Sequence, residues 1–360
     1  MTQKKRVTIR DVAERAGVSV ATVSRVLSGN YPVPPTTRTR VTRAARALDY
    51  VANAHARALV GGGRKTVAVV LRQVTSPFYA HVAEGVEAEA AERGWLCLVG
   101  TTGGNPQREL DFVQLMREEG AGVVILVGGV VEDDSYRARV AHYAHALNAV
   151  GSRLVLCGRP SSDPDLPVLV VGFDNEAGAR AATSHLLSAG HRDIVFIGGL
   201  PGNTALDART AGYRTALAEH GLPPHAAHVV DCGLGRSAGH RAMTEILKQG
   251  RKFTAVLAGD DMVAAGVLRA VTDAGLRVPD DISVVGYNDA PLAQDLNPPL
   301  TTVRTPAEEL GRAAVRLALG DRNDALGVPH ILGTHIVVRD SVGPPPRPGG
   351  APDTGGTTPA

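Results

Sequence analysis

Residues 7–29 read VTIRDVAERAGVSVATVSRVLSG, and this stretch decides how the chain begins. Thr8 and Asp11 stand at the spacing of a capping box, so a helix is predicted to start here. Gly17 ends that helix, because glycine tolerates the left-handed conformation at a helix C-terminus. Ser19 is the predicted N-cap of a second helix. Two helices joined by a short glycine-containing turn within about 20 residues are typical of a DNA-reading helix-turn-helix.

The chain continues with a break at residues 28–32, SGNYP, and then a third amphipathic stretch. We predict that this third helix opens at Thr36 or Thr37 and buries an apolar stripe. The stripe consists of Val41, Ala44, Ala45 and Leu48. Residues 1–50 are therefore predicted to form an all-α helix-turn-helix head.

The distribution of charge separates this head from the rest of the chain. Residues 1–65 contain 13 Lys and Arg against three Asp and Glu, whereas the remaining residues contain 25 basic and 33 acidic side chains. A basic head on an acidic body indicates a polyanionic partner at one end of the chain. On charge alone, a solvated basic face without a ligand is the alternative.

The second helix carries the residues that would read DNA. Val20, Ala21 and Arg25 fall on one helical face. The first two side chains can touch thymine methyl groups, and Arg25 can bind guanine or hold a phosphate. The hydroxyls beside this face are candidate phosphate contacts, or else plain surface groups of a small bundle. They belong to Ser19, Thr22 and Ser24.

The chain from residue 65 to residue 342 has a different sequence pattern. Residues 65–342 alternate short apolar runs with longer amphipathic stretches, as in Val67–Leu71 followed by Phe78–Arg93. This alternation predicts parallel sheets covered by helices on both faces. Nine candidate strands are more than one compact sheet needs, so we predict an α/β body of two lobes, each with a parallel, doubly wound sheet. A ligand would bind between the lobes, beyond the carboxyl ends of the strands.

Two segments are predicted to build no core. Residues 51–64 are Ala-rich and contain three consecutive glycines, which predicts a short hinge helix from Asn53 and a linker. Residues 343–360, GPPPRPGGAPDTGGTTPA, have the composition of a disordered tail.

The remaining composition indicates a cytoplasmic protein. The three cysteines lie far apart and form no C-x-x-C, as expected of reduced thiols. No apolar run approaches the ~18 residues of a membrane span. The start, MTQKKRVTIRDV, lacks the apolar core of an export signal.

Several of these segments together resemble the lac-repressor (LacI/GalR) family. The head motif is joined by TRTRVTRAARALDYVANAHARAL, and the body by SPFYAHVAEGVEAEA, DNEAGARAATSHLLSAGHRDIVFIGG, GLRVPDDISVVGYND and NPPLTTVRTPAEELGRAA. The resemblance spans residues 7 to about 340 and implies a two-lobed, periplasmic-binding-protein-like body. It implies that Val20, Ala21 and Arg25 read bases. It also implies phosphate contacts from Thr8, Ser19, Thr22, Ser24, Ser28 and Thr37.

The resemblance extends to the hinge. Asn53, Ala54, Ala56, Arg57 and Leu59 match the family pattern N-A-x-A-R-x-L. This implies that the hinge helix enters the minor groove and that Leu59 wedges into a central base step, as apolar side chains do when they kink DNA. The chain departs from the pattern at two neighbouring positions, Ala52 and His55. A plain linker is the alternative.

In the body, candidate effector-binding residues lie at predicted strand ends. Phe78 and Tyr79 follow the first strand, where aromatic faces can stack on a ring. The resemblance implies that Arg209 anchors the effector and that Asp261 accepts its hydroxyl or N–H groups. Asp261 as a helix N-cap, and Arg209 in an ion pair between the lobes, are the alternatives. The other candidates are Asp174, Asn175 and Asp289, together with Leu234, where some relatives carry an aromatic residue. Arg72-Gln73 replaces a common Pro-Asp pair, which implies unusual ligand contacts near the first strand.

Signals for an enzyme are weak. The sequence contains no G-x-x-x-x-G-K or H-E-x-x-H, and no G-x-G-x-x-G follows a strand. His142 and His145 share a helix face but have no third ligand nearby, so no metal or cofactor is expected. The sequence predicts a ligand-responsive repressor of carbohydrate-utilisation genes, acting as a homodimer on palindromic operator DNA and switched by a sugar or sugar derivative. A two-lobed binding protein whose head no longer regulates is the alternative.

Overall fold

The computed structural model describes residues 7–28, 32–50, 64–161, 163–223, 227–320 and 328–346. The chain divides into two compact units, Met1–Lys65 and Thr66–Ala360, which we describe separately. The predicted hinge contacts Asn53, Ala56 and Leu59 lie outside the described residues.

The described residues of the first unit form a bundle of three helices, α1 (Ile9–Ala16), α2 (Val20–Ser28) and α3 (Pro35–Ala47). Both interactions of the predicted capping box are present. The Thr8 backbone N–H donates to Asp11 Oδ2 at 2.7 Å, and the backbone N–H of Asp11, the third helical residue, donates back to Thr8. Gly17 ends α1 with φ 62° in the left-handed region, as predicted. The three helices meet around fully buried valines, Val12, Val23 and Val41.

The third helix begins earlier than the sequence pattern predicts. Pro35 is its first residue, ahead of Thr36 and Thr37. Proline fits this position because the first helical N–H has no partner inside the helix and the ring fixes a helical φ. The carbonyl of Pro34 accepts hydrogen bonds from the N–H groups of Thr37 and Arg38, both at 3.0 Å.

The second unit contains two six-stranded sheets, one in each lobe. The N-lobe sheet has the order β11-β5-β4-β3-β1-β2, and its described registers are parallel. Its strands are β1 (Arg64–Leu71), β2 (Leu96–Thr101), β3 (Ala121–Val127), β4 (Arg153–Cys157), β5 (Val168–Phe173) and β11 (His330–Leu332). The helices that pack on it are α4 (Pro77–Glu92), α5 (Pro106–Glu118), α6 (Asp134–Asn148) and α12 (Ala307–Leu319).

The C-lobe sheet has the order β12-β10-β9-β8-β6-β7. Its strands are β6 (Ile194–Gly199), β7 (His228–Asp231), β8 (Ala255–Ala258), β9 (Ser283–Asn288), β10 (Thr301–Arg304) and β12 (His335–Val337). Its helices are α7 (Asn175–Ser188), α8 (Thr204–Glu219), α9 (Arg236–Lys248), α10 (Asp261–Asp273) and the short α11 (Leu292–Asp295). The two-lobed α/β architecture is as predicted, except that β12 runs antiparallel to β10.

The chain crosses between the lobes three times, at residues 173–175, 304–307 and 332–335. The last two crossings lie next to strands that the sequence pattern did not predict, namely β10, β11 and β12. Each of these has only three or four residues and includes polar or charged side chains, so it lacks a long apolar run. Each of them is held by backbone pairing with a neighbouring strand: β11 pairs with β5, β10 pairs with β9, and β12 pairs with β10.

The C-terminal segment also differs from expectation. The predicted tail begins at Gly343, but the Gly343 N–H donates to Ser283 Oγ at 3.0 Å, and its carbonyl oxygen lies 2.9 Å from Nε2 of the buried His191. The described chain therefore remains attached to the C-lobe at Gly343. In the described part of the chain, no helix is both long enough and apolar enough to cross a membrane.

Candidate functional site

The outer face of α2 presents the three predicted base readers. Val20 is 41% exposed, and Ala21 and Arg25 are also exposed. They point outward because α2 buries its opposite face through Val23, which is fully enclosed. An exposed apolar pair followed one turn later by an arginine has the size and chemistry of a major-groove reading surface.

Hydroxyl groups surround this face. Ser19 Oγ accepts a hydrogen bond from the Thr22 N–H at 3.1 Å and so caps α2. The Thr8 hydroxyl donates to Asp11 at 2.7 Å, which places it at the N-terminus of α1. Thr37 lies in the first turn of α3 and Ser24 is half-buried on α2. The side chain of Ser28 lies outside the described part of the chain. Backbone N–H groups at helix N-termini and nearby hydroxyls are suited to phosphate oxygens.

The second unit encloses a cavity of about 290 Å³ between the lobes, at the carboxyl ends of the strands. Four of the predicted effector residues line it: Phe78, Tyr79, Arg209 and Leu234. Arg72 and Gln73 also line it, at the end of β1. The remaining predicted residues do not line it; they are Asp174, Asn175, Asp261 and Asp289.

Arg209 on α8 is the central cation of the cavity. Its Nε donates to Asn175 Oδ1 at 2.8 Å, its Nη1 donates to the Gly259 carbonyl, and its guanidinium lies 3.8 Å from the centroid of the Tyr287 ring. Burial lowers the pKa of Arg209 from its usual value, and nearby Tyr287 and Asp260 oppose that shift. An arginine guanidinium is not deprotonated in proteins, so Arg209 remains a cation. These contacts fix its orientation before any ligand arrives.

The carboxylate that faces the cavity belongs to Asp260, and the prediction of Asp261 was wrong by one residue. Asp260 lines the cavity and caps α10 by accepting a hydrogen bond from the Val263 N–H at 2.7 Å. Asp261 is 1% exposed and points the other way, where its two oxygens accept hydrogen bonds from the Thr302 hydroxyl and the Ala290 N–H, both at 2.6 Å. These bonds fasten α10 to the end of β9 and to β10.

The sequence analysis left an alternative structural position open for each of Asp261 and Arg209, and the structure bears on both. Asp260 is the N-cap, and it combines that structural contact with a position in the cavity wall. Burial raises the pKa of Asp260 relative to an ordinary aspartate, whereas Arg209 lowers it. Arg209 makes its polar contacts with Asn175 and Gly259, so the predicted alternative of an ion pair between the lobes does not describe it.

Asp289 is also removed from the cavity. Its oxygens accept hydrogen bonds from Arg304 Nε at 2.6 Å and from Arg339 Nη2 at 2.7 Å. Asp289 therefore joins β10 to the C-terminal segment, and its neighbour Asn288 lines the cavity instead. Asp174 caps α7 by accepting from the Ala177 N–H at 2.8 Å.

An aromatic group forms one wall of the cavity. The ring of Phe78 makes edge contacts with Tyr79 and Phe173, at centroid distances of 5.5 and 5.8 Å. Leu234 and Met262 add apolar surface from the C-lobe. Burial raises the pKa of Tyr79, so its hydroxyl stays protonated at neutral pH. An apolar wall opposite a guanidinium and a carboxylate suits a ligand with a flat apolar face and many hydroxyl groups.

Asp260, Asn203 and Asn288 are cavity residues that the sequence reasoning missed. A signal existed for Asp260, because an N-cap directly follows a strand end and faces the carboxyl edge of the sheet. His142 and His145 lie on α6, and the described residues contain no group of three side chains arranged to hold a metal ion.

Known proteins match both units of the chain. The family described as "Bacterial regulatory proteins, lacI family" matches residues 8–53, and "Periplasmic binding protein-like domain" matches residues 183–342. The HTH-type transcriptional regulator DegA of Bacillus subtilis is 32% identical over 94% of this chain and 98% of its own length.

Solved structures agree with these matches. The lac repressor dimer bound to operator and the anti-inducer ONPF superposes with a TM-score of 0.78 at 27% identity, covering 94% of this chain and all of that one. The complex of the transcriptional regulator CelR with cellobiose has a TM-score of 0.68 at 32% identity, covering 93% of this chain and all of that one. The chain therefore belongs to the lacI family of bacterial regulatory proteins and is a helix-turn-helix transcription regulator.

Proposed function

We propose that this regulator is a repressor that binds palindromic operator DNA as a homodimer and changes its DNA affinity when a sugar or sugar derivative occupies the cavity between its lobes. The observation that carries the proposal is the presence, in one chain, of an exposed α2 reading face and a cavity with a pre-positioned guanidinium. A ligand acts as a switch only if it binds one conformation better than another, and a cavity shared by two lobes provides that difference.

On the DNA side, the proposed base contacts are Val20, Ala21 and Arg25. The proposed phosphate contacts are Thr8, Ser19, Thr22, Ser24, Ser28 and Thr37. Residues 51–64 act as the hinge, with Asn53, Ala56 and Leu59 entering the minor groove. These roles place the protein on chromosomal DNA in the cytoplasm, as a regulator rather than an enzyme.

On the ligand side, the proposal rests on the chemistry of the cavity. Arg209 and Asp260 supply charged donors and acceptors for hydroxyl groups, and Phe78 supplies an apolar face for a pyranose ring. The relative CelR was solved with cellobiose in complex, which supports a carbohydrate as the ligand class here.

The homodimer is supported by an apolar surface at one end of the N-lobe sheet. Among the described strands, β2 ends that sheet, and an open edge with apolar side chains is a surface that proteins normally cover. Leu96 is 60% exposed and Val99 is 50% exposed on β2, and Leu115 of the adjacent α5 is 49% exposed. Two-fold pairing of this surface would also bring two heads to a palindromic site.

The proposal is tested by fluorescence anisotropy with purified full-length protein. The DNA probes are palindromic sequences from the promoter regions next to its gene, with a shuffled duplex of equal composition as the control. We expect tight binding to one palindrome and a change in that affinity on addition of a sugar. Equal affinity for the palindrome and the shuffled duplex would rule out a sequence-specific regulator.

A further inference from the structure

The outward side of α3 carries a row of arginines that lie outside the reading face. The helix, PTTRTRVTRAARA, contains four arginines and no aspartate or glutamate. Successive residues of an α-helix are about 100° apart, so Arg43 and Arg46 lie roughly 200° and 140° from the fully buried Val41. Arg40 lies about 100° from Val41, at the border of the outward side. Arg40, Arg43 and Arg46 are all exposed, and we call them the α3 strip.

The guanidinium groups of the α3 strip have no ionic partner among the residues that the structure describes. No salt bridge or side-chain hydrogen bond connects any of them to another described residue. Like charges one turn apart on a helix repel each other and destabilise it. Arg46 gains from the helix dipole because it lies in the last turn, whereas Arg40 and Arg43 lie in the middle of the helix and do not. The strip therefore adds no stability to α3 as a whole, and its charge is available to a polyanion.

The α3 strip and the reading face lie on different sides of the head. The three helices enclose one apolar core around Val12, Val23 and Val41, and each helix turns its buried stripe toward that core. The exposed faces of α2 and α3 therefore point in different directions. A duplex that receives the outer face of α2 in its major groove leaves the outward side of α3 directed away from that groove.

We propose that the α3 strip binds the phosphate backbone of a second DNA duplex while α2 occupies the operator. Three arginines at i, i+3 and i+6 span a rise of about 9 Å along the helix, comparable to two or three phosphates of one strand at ~3.4 Å each along the duplex axis. Guanidinium groups bind phosphate oxygens through paired hydrogen bonds, and these contacts require no particular base sequence. Binding at the strip is therefore independent of sequence and weakens as salt is added.

A second DNA surface on the head changes how the regulator moves between sites. A duplex segment held by the strip is already in contact with the protein when α2 leaves the operator, so the regulator passes to that segment without first diffusing into solution. A head with the reading face alone has to dissociate first. The strip thus adds DNA bridging and segment transfer to operator recognition and effector response.

The first test is a bridging assay with the full-length protein. Beads that carry the palindromic operator are saturated with protein, washed, and exposed to a fluorescent duplex of random sequence. Because both heads of a dimer occupy the palindrome, capture of the random duplex has to use another surface. The test variant replaces the strip with glutamine, which has a helix propensity close to that of arginine (Arg40→Gln, Arg43→Gln, Arg46→Gln). The control variant removes the same charge from exposed positions on the second unit, namely Arg214→Gln, Arg241→Gln and Arg251→Gln.

The second test is stopped-flow dissociation from a labelled operator. The rate at which the wild type leaves the operator should rise with the concentration of unlabelled random duplex, because the incoming segment is captured before the operator is released. In the strip variant this rate should not depend on the competitor. Circular dichroism and operator affinity, measured by anisotropy on a single duplex, confirm that each variant is folded.

We expect the wild type and the control variant to capture the random duplex, and the strip variant to capture about tenfold less at low salt. Operator affinity on a single duplex should stay within about twofold in all three proteins. Equal capture by the wild type and the strip variant would overturn the inference. An equal loss of capture in the control variant would assign the effect to net charge and would also overturn it. If the strip variant lost operator affinity as much as it lost capture, these arginines would hold phosphates of the operator itself, and the second duplex would have no place on α3.

Discussion

The guanidinium of Arg209 lies 3.8 Å from the centroid of the Tyr287 ring, so the cation of the cavity rests on an aromatic face from a neighbouring strand. The Tyr287 hydroxyl donates to the Asn175 carbonyl at 3.1 Å, and Arg209 Nε donates to Asn175 Oδ1. Three elements, α8, β9 and the start of α7, therefore hold one guanidinium. A group positioned in this way binds a ligand with little further ordering of its own, which favours affinity.

Replacement of Arg209 should uncouple the ligand from the DNA. We expect Arg209→Ala to weaken effector binding by about 2–5 kcal/mol, since a charged, desolvated contact is lost. The loss of its bonds to Asn175 and Gly259 should also destabilise the body by about 1–3 kcal/mol. Operator binding without effector should persist, which anisotropy measures directly. A variant that still releases the operator at the usual sugar concentration would show that Arg209 is not an anchor.

Asp260 and Asp261 offer a matched pair of charge-neutralising changes on adjacent residues. Asp260→Asn keeps the helix cap, because asparagine is as good an N-cap as aspartate, but it removes the carboxylate from the cavity. We expect it to weaken effector binding about tenfold, whereas Asp261→Asn should leave binding within about twofold. Calorimetry with the effector decides between them. If Asp261→Asn weakened effector binding more than Asp260→Asn did, Asp261 would be the residue that contacts the ligand.

This pair also shows where prediction from sequence stops. The family resemblance implied a carboxylate at the start of α10, but two consecutive aspartates differ only in which one precedes the first helical residue. A one-residue shift rotates a side chain by about 100° on a helix, enough to move it from the cavity to the far side. Arg209 was also implied by the resemblance, and its position inside α8 does not depend on which residue starts the helix.

Long apolar runs in the sequence predicted the two lobes and their sheets, but they did not predict where the chain crosses between the lobes. The strand β11 pairs with β5 far back in the chain, whereas β10 pairs with β9 and β12 with β10 at shorter range; the residues of all three carry little periodic signal. The contact between Val130 and Thr204 was equally unpredictable, since its two hydrogen bonds, one of them to the Thr204 hydroxyl, join residues 74 positions apart.

Arg25 tests the reading face. We expect Arg25→Ala to lower affinity for the operator by about 1–3 kcal/mol if the guanidinium reads a base, and to lower affinity for random duplex less. Arg46→Ala is a suitable control, because Arg46 is an exposed arginine in the last turn of α3, away from the reading face. Equal losses on the operator and on random DNA would mean that Arg25 holds only phosphate.

Val99 tests the proposed dimer surface. A charge introduced at the apolar edge of β2 would be buried without a partner, so Val99→Asp should convert the dimer to monomer at micromolar concentration. Val150→Asp is the control, since Val150 is 58% exposed between α6 and β4, away from this edge. Sedimentation velocity reports the state of each variant, and operator affinity should fall with dimerisation. A dimeric Val99→Asp protein would place the interface elsewhere.

The pH dependence of the free energy of unfolding should reveal the raised pKa of Asp261. Burial raises the pKa of this carboxyl from 3.8 to about 7, and Asp260 and Asp289 add to that rise, while the bonds from Thr302 and Ala290 oppose it. Between about pH 4 and pH 7 the folded state therefore binds more protons here than the unfolded state does, so this group makes the protein less stable as pH rises through that window.

Asp261→Asn should remove that contribution while keeping both hydrogen bonds, because an amide can accept from the Ala290 N–H and donate to the Thr302 hydroxyl. We expect the variant to gain stability relative to the wild type as pH rises from 4.5 to 7.5, measured as the free energy of unfolding in urea. Asp273→Asn provides a control of opposite sign, because the hydrogen bond from His240 lowers the pKa of that exposed carboxyl, so its stabilising effect is lost as pH falls. Parallel curves for the wild type and Asp261→Asn across this range would show that Asp261 does not take up a proton on folding.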